Sequence, residues 1–234
     1  MEVRIGASGW RWTLGDFSRY RMLAPFNAIE IDYTFYKIPS QREVQKFLLE
    51  GGNLKWAVKV HRSITHRYFF DENAIKFFRR FKKSLKLMED RKMIEFYVFI
   101  IPPALKPSQE LLSRIKKFIS ASNISNKAAF EFRSREWYSE EWLKEMQKLG
   151  ITVISVDAPG FHYFVKTTNK IYVRLHGRRN WFFDVYNNEE LDEILLEIKK
   201  LLPADVIWII LDNDPGILKN GTYLLSRWEE ILHI

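Results

Sequence analysis

Cysteine is absent from the 234 residues, so disulfides, thiolate nucleophiles and cysteine-ligated zinc are excluded. No stretch approaches the roughly 20 apolar residues that a membrane-spanning helix needs. Glycine-rich phosphate loops of the G-x-G-x-x-G or G-x-x-x-x-G-K-[ST] type are missing too, which argues against a Rossmann or P-loop nucleotide site. There is no H-E-x-x-H pair, and no glycine-serine linker, repeat or low-complexity tract divides the chain. The opening residues, Met1 to Gly6, read as a strand rather than as a signal peptide. With no cysteine and no apolar leader, a cytoplasmic location is expected.

What is present is an ordinary globular composition, 47% hydrophobic and 28% charged, too apolar for a disordered chain. The net charge is +8, with a pI near 9.5. Most of the basic pairs, such as Arg79-Arg80, Lys82-Lys83 and Lys199-Lys200, fall on predicted helices and read as solvated faces. Arg178-Arg179, after a predicted strand, is the better candidate for anion contact, and the excess charge keeps nucleic acid open as a partner.

Short runs of Val, Ile and aromatics alternate with longer amphipathic segments, the signature of an α/β protein. The pattern predicts strands at 3–7, 28–32, 55–61, 94–101, 127–133, 152–157, 170–176 and 206–212. Helices are predicted over 41–50, with a capping box from Ser40 and Glu43, and over 73–89, 108–121, 140–149, 188–202 and 223–232. The connection 158–169 carries no helical pattern, so one helix is expected to be replaced by a loop. Eight strands in alternation fit a TIM-type (β/α)8 barrel formed by one domain over 1–234. An open flavodoxin-like or Rossmann sheet is the other arrangement the pattern allows.

Alternation along a strand places residues two apart on one face. By that rule Glu30 and Asp32 share a face, as do Lys59 and His61, Glu131 and Arg133, and Tyr172, Arg174 and His176. Charges inside a barrel are costly unless paired, and those near strand C-termini sit where barrel active sites are built. Glu30, Lys59, Glu131 and His176 are therefore candidate catalytic groups for proton transfer, and Lys59 could instead serve as a Schiff-base nucleophile. Arg133 and Arg174 offer forks for a carboxylate or phosphate. Trp10, Tyr36, His66 and Asn213 are candidate substrate contacts, and Trp12, Trp137 and Trp181 are further rings placed after strands. No cofactor is firmly implied. Should a divalent metal be present, Glu131, Asp157, His176 and Asp212 are the ligand set the strands would offer.

An ordered series of short motifs adds a resemblance. Gly6-Ala7-Ser8-Gly9-Trp10, Glu30-Ile31-Asp32-Tyr33-Thr34-Phe35-Tyr36, Thr65-His66, Pro102-Pro103, Glu131-Phe132-Arg133 with Trp137, and Tyr172-Val173-Arg174-Leu175-His176-Gly177 follow one another along the chain. In this the sequence resembles the YecE-like family, domain-of-unknown-function family 72. The resemblance implies a TIM-type barrel and supplies no reaction. The chain departs from the usual family pattern at Ile100, where glutamine is common, and at Asp32 and Asp212, where asparagine is common. Taken together, these features lead us to expect an enzyme acting by acid–base chemistry on a small polar anionic substrate. Metal-assisted phosphodiester hydrolysis or binding of nucleic acid is one alternative; a non-catalytic ligand-binding barrel is another.

Overall fold

The computed structural model describes residues 1–10 and 14–232. Its strands and helices are, in chain order, β1 (Glu2–Ser8), α1 (Phe17–Leu23), β2 (Ala28–Ile31), α2 (Gln41–Glu50), β3 (Lys55–Lys59), α3 (Glu72–Ser84), α4 (Lys86–Asp90), β4 (Ile94–Ile101) and α5 (Gln109–Ser122). They continue with β5 (Ala128–Phe132), α6 (Glu140–Lys148), β6 (Thr152–Val153), β7 (Ser155–Ala158), β8 (Phe161–Tyr163), β9 (Lys170–Leu175), α7 (Asn188–Lys200), β10 (Val206–Leu211) and α8 (Ile217–Leu232). Contacts divide the chain into two compact units, one of Met1–Glu30 with Ile154–Ile234, the other of Ile31–Val153.

In the first unit the strand order is β2-β1-β10-β9-β7-β8, parallel except for β8. Gly6 sits where β1 passes β2, and a Cβ there would lie 2.2 Å from the Ala28 carbonyl oxygen. That close approach fixes the register that sets Ser8 opposite Glu30. Tyr20 of α1 pins the same place, donating its hydroxyl hydrogen to the Ala28 carbonyl at 2.7 Å. The predicted helix-free connection after 158 is a hairpin: β8 turns back on β7, with Asp157 opposite His162.

In the second unit the order is β6-β5-β4-β3, all parallel. Its core is aromatic. Phe70, Phe78, Phe99, Phe118 and Phe130 are buried, with neighbouring ring centroids 4.8–6.0 Å apart. The helices start where a short polar side chain can satisfy free amides. Ser40 and Glu43 form the expected capping box on α2, Asp71 caps α3 and Ser108 caps α5.

The structure corrects several boundaries. The helix expected over 73–89 breaks at Leu85 into α3 and α4. There the Ser84 hydroxyl donates to the Phe81 carbonyl at 2.7 Å, competing with the helical ladder. The strand expected over 152–157 is interrupted at Ile154. The last helix begins at Ile217, six residues earlier than its pattern suggests, because Asn220 and Gly221 are buried against neighbouring elements. Helix α1 was not foreseen.

Candidate functional site

Two groups of polar side chains stand at the C-terminal ends of the parallel strands, one in each unit. The first is built around Arg174 of β9, which is fully buried. Its Nη2 donates to Glu30 Oε1 at 2.9 Å, to Asp212 Oδ2 at 2.8 Å and to Ser8 Oγ at 3.1 Å. Glu30 is also fully buried; it accepts from the Ser8 hydroxyl at 2.8 Å and the Tyr172 hydroxyl at 2.7 Å. The Tyr172 ring is itself fixed, stacked on Trp208 with centroids 5.6 Å apart. Asp212 is the one open member of the group, with 18% of its side chain exposed. Its Oδ2 lies 3.0 Å from His176 Nδ1.

His176 is buried beneath a loop. The Trp181 and Phe182 rings lie 5.3 and 5.2 Å from the imidazole, and Trp181, Phe182 and Phe183 remain partly or largely exposed on their other sides. Asp184 holds this loop by accepting from the amides of Arg178 (2.7 Å), Arg179 (3.0 Å) and Val185 (2.8 Å), and from Arg179 Nε (2.8 Å). Burial opposes the charge on Asp184. The two arginine amides and the Arg179 guanidinium outweigh it and hold the carboxyl below its usual range. Gly177 begins the loop at φ +99°, and a Cβ there would lie 2.6 Å from both Asn180 O and Asp184 Cβ. Its amide donates to the Tyr186 hydroxyl, which donates to Asp157 Oδ1, each at 2.8 Å. Burial and the Asp157 charge push the Tyr186 phenol far up.

The second group belongs to the unit of Ile31–Val153. Glu131 and Arg133 pair there, Oε1 to Nε at 2.5 Å. Lys59 ends β3 with its ammonium 5.6 Å from the centre of the Phe35 ring. The Thr34 hydroxyl lies within bonding distance of both the Lys59 carbonyl, at 2.6 Å, and the Ile31 carbonyl, at 3.0 Å. His66 stands edge-on to Phe35 at 5.3 Å, with Nδ1 2.8 Å from the Thr65 hydroxyl. Tyr36 is 68% exposed, and the Arg62 guanidinium covers its ring at 5.5 Å.

The candidate residues are thus distributed as follows. Glu30, Arg174 and His176 come together, joined by Asp212; Glu131 pairs with Arg133; Lys59, Tyr36 and His66 share the Phe35–Tyr36 corner. Trp10 is half-buried against Phe17 at 5.2 Å. Asn213 is buried and donates to Asp184 O at 3.1 Å and Asn220 Oδ1 at 2.9 Å, tying the aromatic loop to α8. Trp137, one of the rings placed after a strand, is buried, stacked on Phe132 at 4.4 Å with its indole N–H bonded to Leu105 O. Trp12 lies outside the described residues. Arg178 and Arg179, expected to meet an anion, are met by carboxylates of the chain itself: Glu193 and Asp157 for the first, Asp184 and Glu190 for the second. Of the conditional metal set, His176 and Asp212 meet; Asp157 faces Tyr186, His162 and Arg178, and Glu131 faces Arg133. Among the described residues no three His, Asp or Glu side chains gather as they would around a metal ion.

Three participants were missed in the sequence: Ser8, Tyr172 and Asp184. Tyr172 shares a strand face with Arg174, which was signal enough. Ser8 ends β1 in register with Glu30 and was quoted only as part of a motif.

The alternation of parallel strands and helices, with polar groups at the strand ends, is that of the TIM-barrel class, and likeness to a solved structure supports this fold. A xylose isomerase-like TIM barrel/4-hydroxyphenylpyruvate dioxygenase fusion protein superposes on 99% of the chain and 43% of its own, with TM-score 0.63 and 14% identity. The family model described as protein of unknown function DUF72 matches residues 13–233, and the chain belongs to that family. Solved structures of DUF72 family proteins share the fold. The one from Thermotoga maritima MSB8 is 21% identical, with TM-score 0.82 over 98% of this chain and 100% of that one. The one from Enterococcus faecalis V583 is 19% identical, with TM-score 0.80 over 100% and 98%. Among curated proteins none matches the chain. No helix among the described residues is long and apolar enough to cross a membrane.

Proposed function

We propose that the protein is an enzyme acting by acid–base chemistry on a small, polar, anionic substrate, with His176 and Asp212 carrying the proton. The observation that carries this reading is the Asp212 carboxylate, held at one oxygen by Arg174 and His176. The Asp212 carboxylate, 3.0 Å from Nδ1, stabilises the imidazolium that forms when the ring accepts a proton from substrate. Arg174 and Glu30 are positioning residues in this account: with Ser8 and Tyr172 they fix the carboxylate that fixes the imidazole. The Trp181–Phe182 cover keeps water from the ring, and a lower local dielectric strengthens each of these contacts. Affinity for an anion is supported separately, within the unit Ile31–Val153, by the Lys59 ammonium, which has no carboxylate partner among the described residues. We read the two units as one barrel domain, in keeping with a family model that runs through both. A cytoplasmic setting is in keeping with the cysteine-free composition.

The test is exchange of carbon-bound hydrogen for deuterium in D2O, followed by proton NMR on a panel of sugar phosphates and hydroxy acids. Exchange in at least one compound, abolished by His176→Asn, is expected. Exchange that survives the substitution removes His176 from the chemistry, and a panel with no exchange removes the proton-transfer reading.

Nucleic acid is a second reading, favoured by the exposed Tyr36 ring beside Arg62, a combination on which a base can stack. Binding of a short oligothymidylate that weakens steeply with salt would support it.

A further inference from the structure

The loop that follows β3 carries three cations within nine residues, and each lies on an aromatic ring rather than against a carboxylate. Lys59 is over Phe35, Arg62 over Tyr36 at 5.5 Å, and Arg67 over Tyr68 at 5.3 Å. None of the three has an ion-pair partner among the described residues. Four arginines of the other unit are held differently: Arg174, Arg178, Arg179 and Arg227 each meet two acidic side chains. A ring face offsets part of a cation's cost of leaving water and leaves its hydrogen-bond donors free.

The loop is also rigid. It turns through one wide turn, Ser63–Arg67, closed by the Tyr68 amide on the Ser63 carbonyl at 2.9 Å. Phe69 and Phe70 then both adopt positive φ, +46° and +62°, which non-glycine residues rarely do. Such turns and such strain gather at functional sites. The Phe70 ring, buried among Phe99, Phe118 and Phe130, anchors the strained end in the core. At the other end the Arg62 amide bonds Phe35 O at 2.9 Å, and His61 Nε2 lies 3.1 Å from Tyr36 O. Lys59, Arg62 and His66 are thereby all laid around one pair of perpendicular rings, Phe35 and Tyr36, whose centroids are 5.1 Å apart.

We propose that Lys59, Arg62 and His66 form a binding site for the phosphate group of a small phosphomonoester. The inference goes beyond the proposed acid–base chemistry: it concerns a site within the unit Ile31–Val153 and names the bound group and the residues that bind it. Two free cations match the two charges of a monoester phosphate, whereas a diester or a carboxylate brings one. A point-like ammonium, a guanidinium fork and an imidazole nitrogen give three separate donors for the three terminal oxygens of a monoester; a carboxylate has two. His66 suits the third place. Burial and the positive charge of Arg62 hold its pKa below the usual histidine range, so it stays neutral at pH 7. With Nδ1 against the Thr65 hydroxyl, its Nε2 is left to the ligand.

Calorimetric titration with glycerol 3-phosphate, malonate and a short oligothymidylate tests the site in the parent protein and in Lys59→Met, Arg62→Met and His176→Asn. Both methionine variants remove an unpaired charge and keep the stem that covers the ring, so they are expected to fold, and circular dichroism verifies it. Glycerol 3-phosphate is expected to bind at one site. Each methionine variant should weaken it roughly tenfold or more, and His176→Asn should leave it unchanged. Malonate binding as tightly as glycerol 3-phosphate, and lost with Lys59, would overturn the phosphate assignment while leaving the anionic substrate standing. Tighter binding of the oligothymidylate would replace the monoester by a polyanion. Glycerol 3-phosphate that fails to bind, or binds equally to all four proteins, removes the site. None of these results bears on deuterium exchange at His176, so the acid–base reading stands or falls by its own assay.

Discussion

Arg174, the last residue but one of β9, and Lys59, the last of β3, are opposites in electrostatics. Arg174 is buried and over-compensated, with Glu30 at 2.9 Å and Asp212 at 2.8 Å. Lys59 is half-buried with only a ring beneath it. A buried cation without partners would be driven out of its charged form or would unfold the site, so the carboxylates around Arg174 are the condition of its burial. A half-buried ammonium keeps part of its hydration and can wait for a ligand. Arg174 is thus offset by side chains of its own unit, whereas Lys59 keeps a charge that no carboxylate among the described residues offsets.

The largest effect should come from breaking the compensated side. Glu30→Ala leaves Arg174 with one carboxylate and strands the Ser8 and Tyr172 hydroxyls, at a cost of about 3–5 kcal/mol. For a chain of this size that lowers the melting temperature by roughly 6–20 °C in calorimetry. A fall no larger than that of Lys59→Met would erase the contrast.

The aromatic loop comes next. Asp184→Asn removes the carboxylate that gathers three amides and a guanidinium, and should cost roughly 1–3 kcal/mol at neutral pH. Because the folded pKa of Asp184 is depressed, its contribution is fully present above the ordinary carboxylate range and disappears as pH falls through the folded value. The gap between parent and Asp184→Asn in urea unfolding should accordingly close on acidification. A gap that stays constant with pH would show that the amide makes up for the lost charge.

His176→Asn should matter less to stability. It forfeits ring contacts with Trp181 and Phe182, worth about 0.5–1.5 kcal/mol, and leaves the Arg174 carboxylates in place. Melting within a few degrees of the parent is expected, whereas a fall as large as that of Glu30→Ala would make His176 a part of the ion network. The smallest change belongs to Lys59→Met, within about 0.5 kcal/mol of the parent.

Much of this was legible before any coordinates. Strands were readable because β-branched and aromatic runs mark them locally, and α2 was placed to the residue because Ser40 and Glu43 carry its start within four positions. Alternation on β9 put Arg174 and His176 on one face. What escaped depends on partners far away in the chain. Seven-residue α1 buries only Phe17 and Tyr20, too few for a periodic pattern. Gly221 and Asn220 discourage a helix locally, and only the packing of Phe26 and the amide bonds to Tyr186 make them helical. No pattern shows that Asp212 reaches His176 while Asp157 turns to Tyr186, since both end strands in the same way.

The division at Glu30 and Ile154 has a consequence for the order of assembly. The unit Ile31–Val153 is one uninterrupted stretch, and all of its residues are synthesised before β7. The other unit is split in sequence: Glu2 of β1 stands opposite Val206 of β10, and Arg174 meets Glu30 from 144 positions further along the chain. During synthesis β1 and β2 must therefore wait, with Glu30 lacking its arginine, until the C-terminal third has emerged. The aromatic core around Phe99 can close early, and the group around Arg174 can close only after Asp212 has been made.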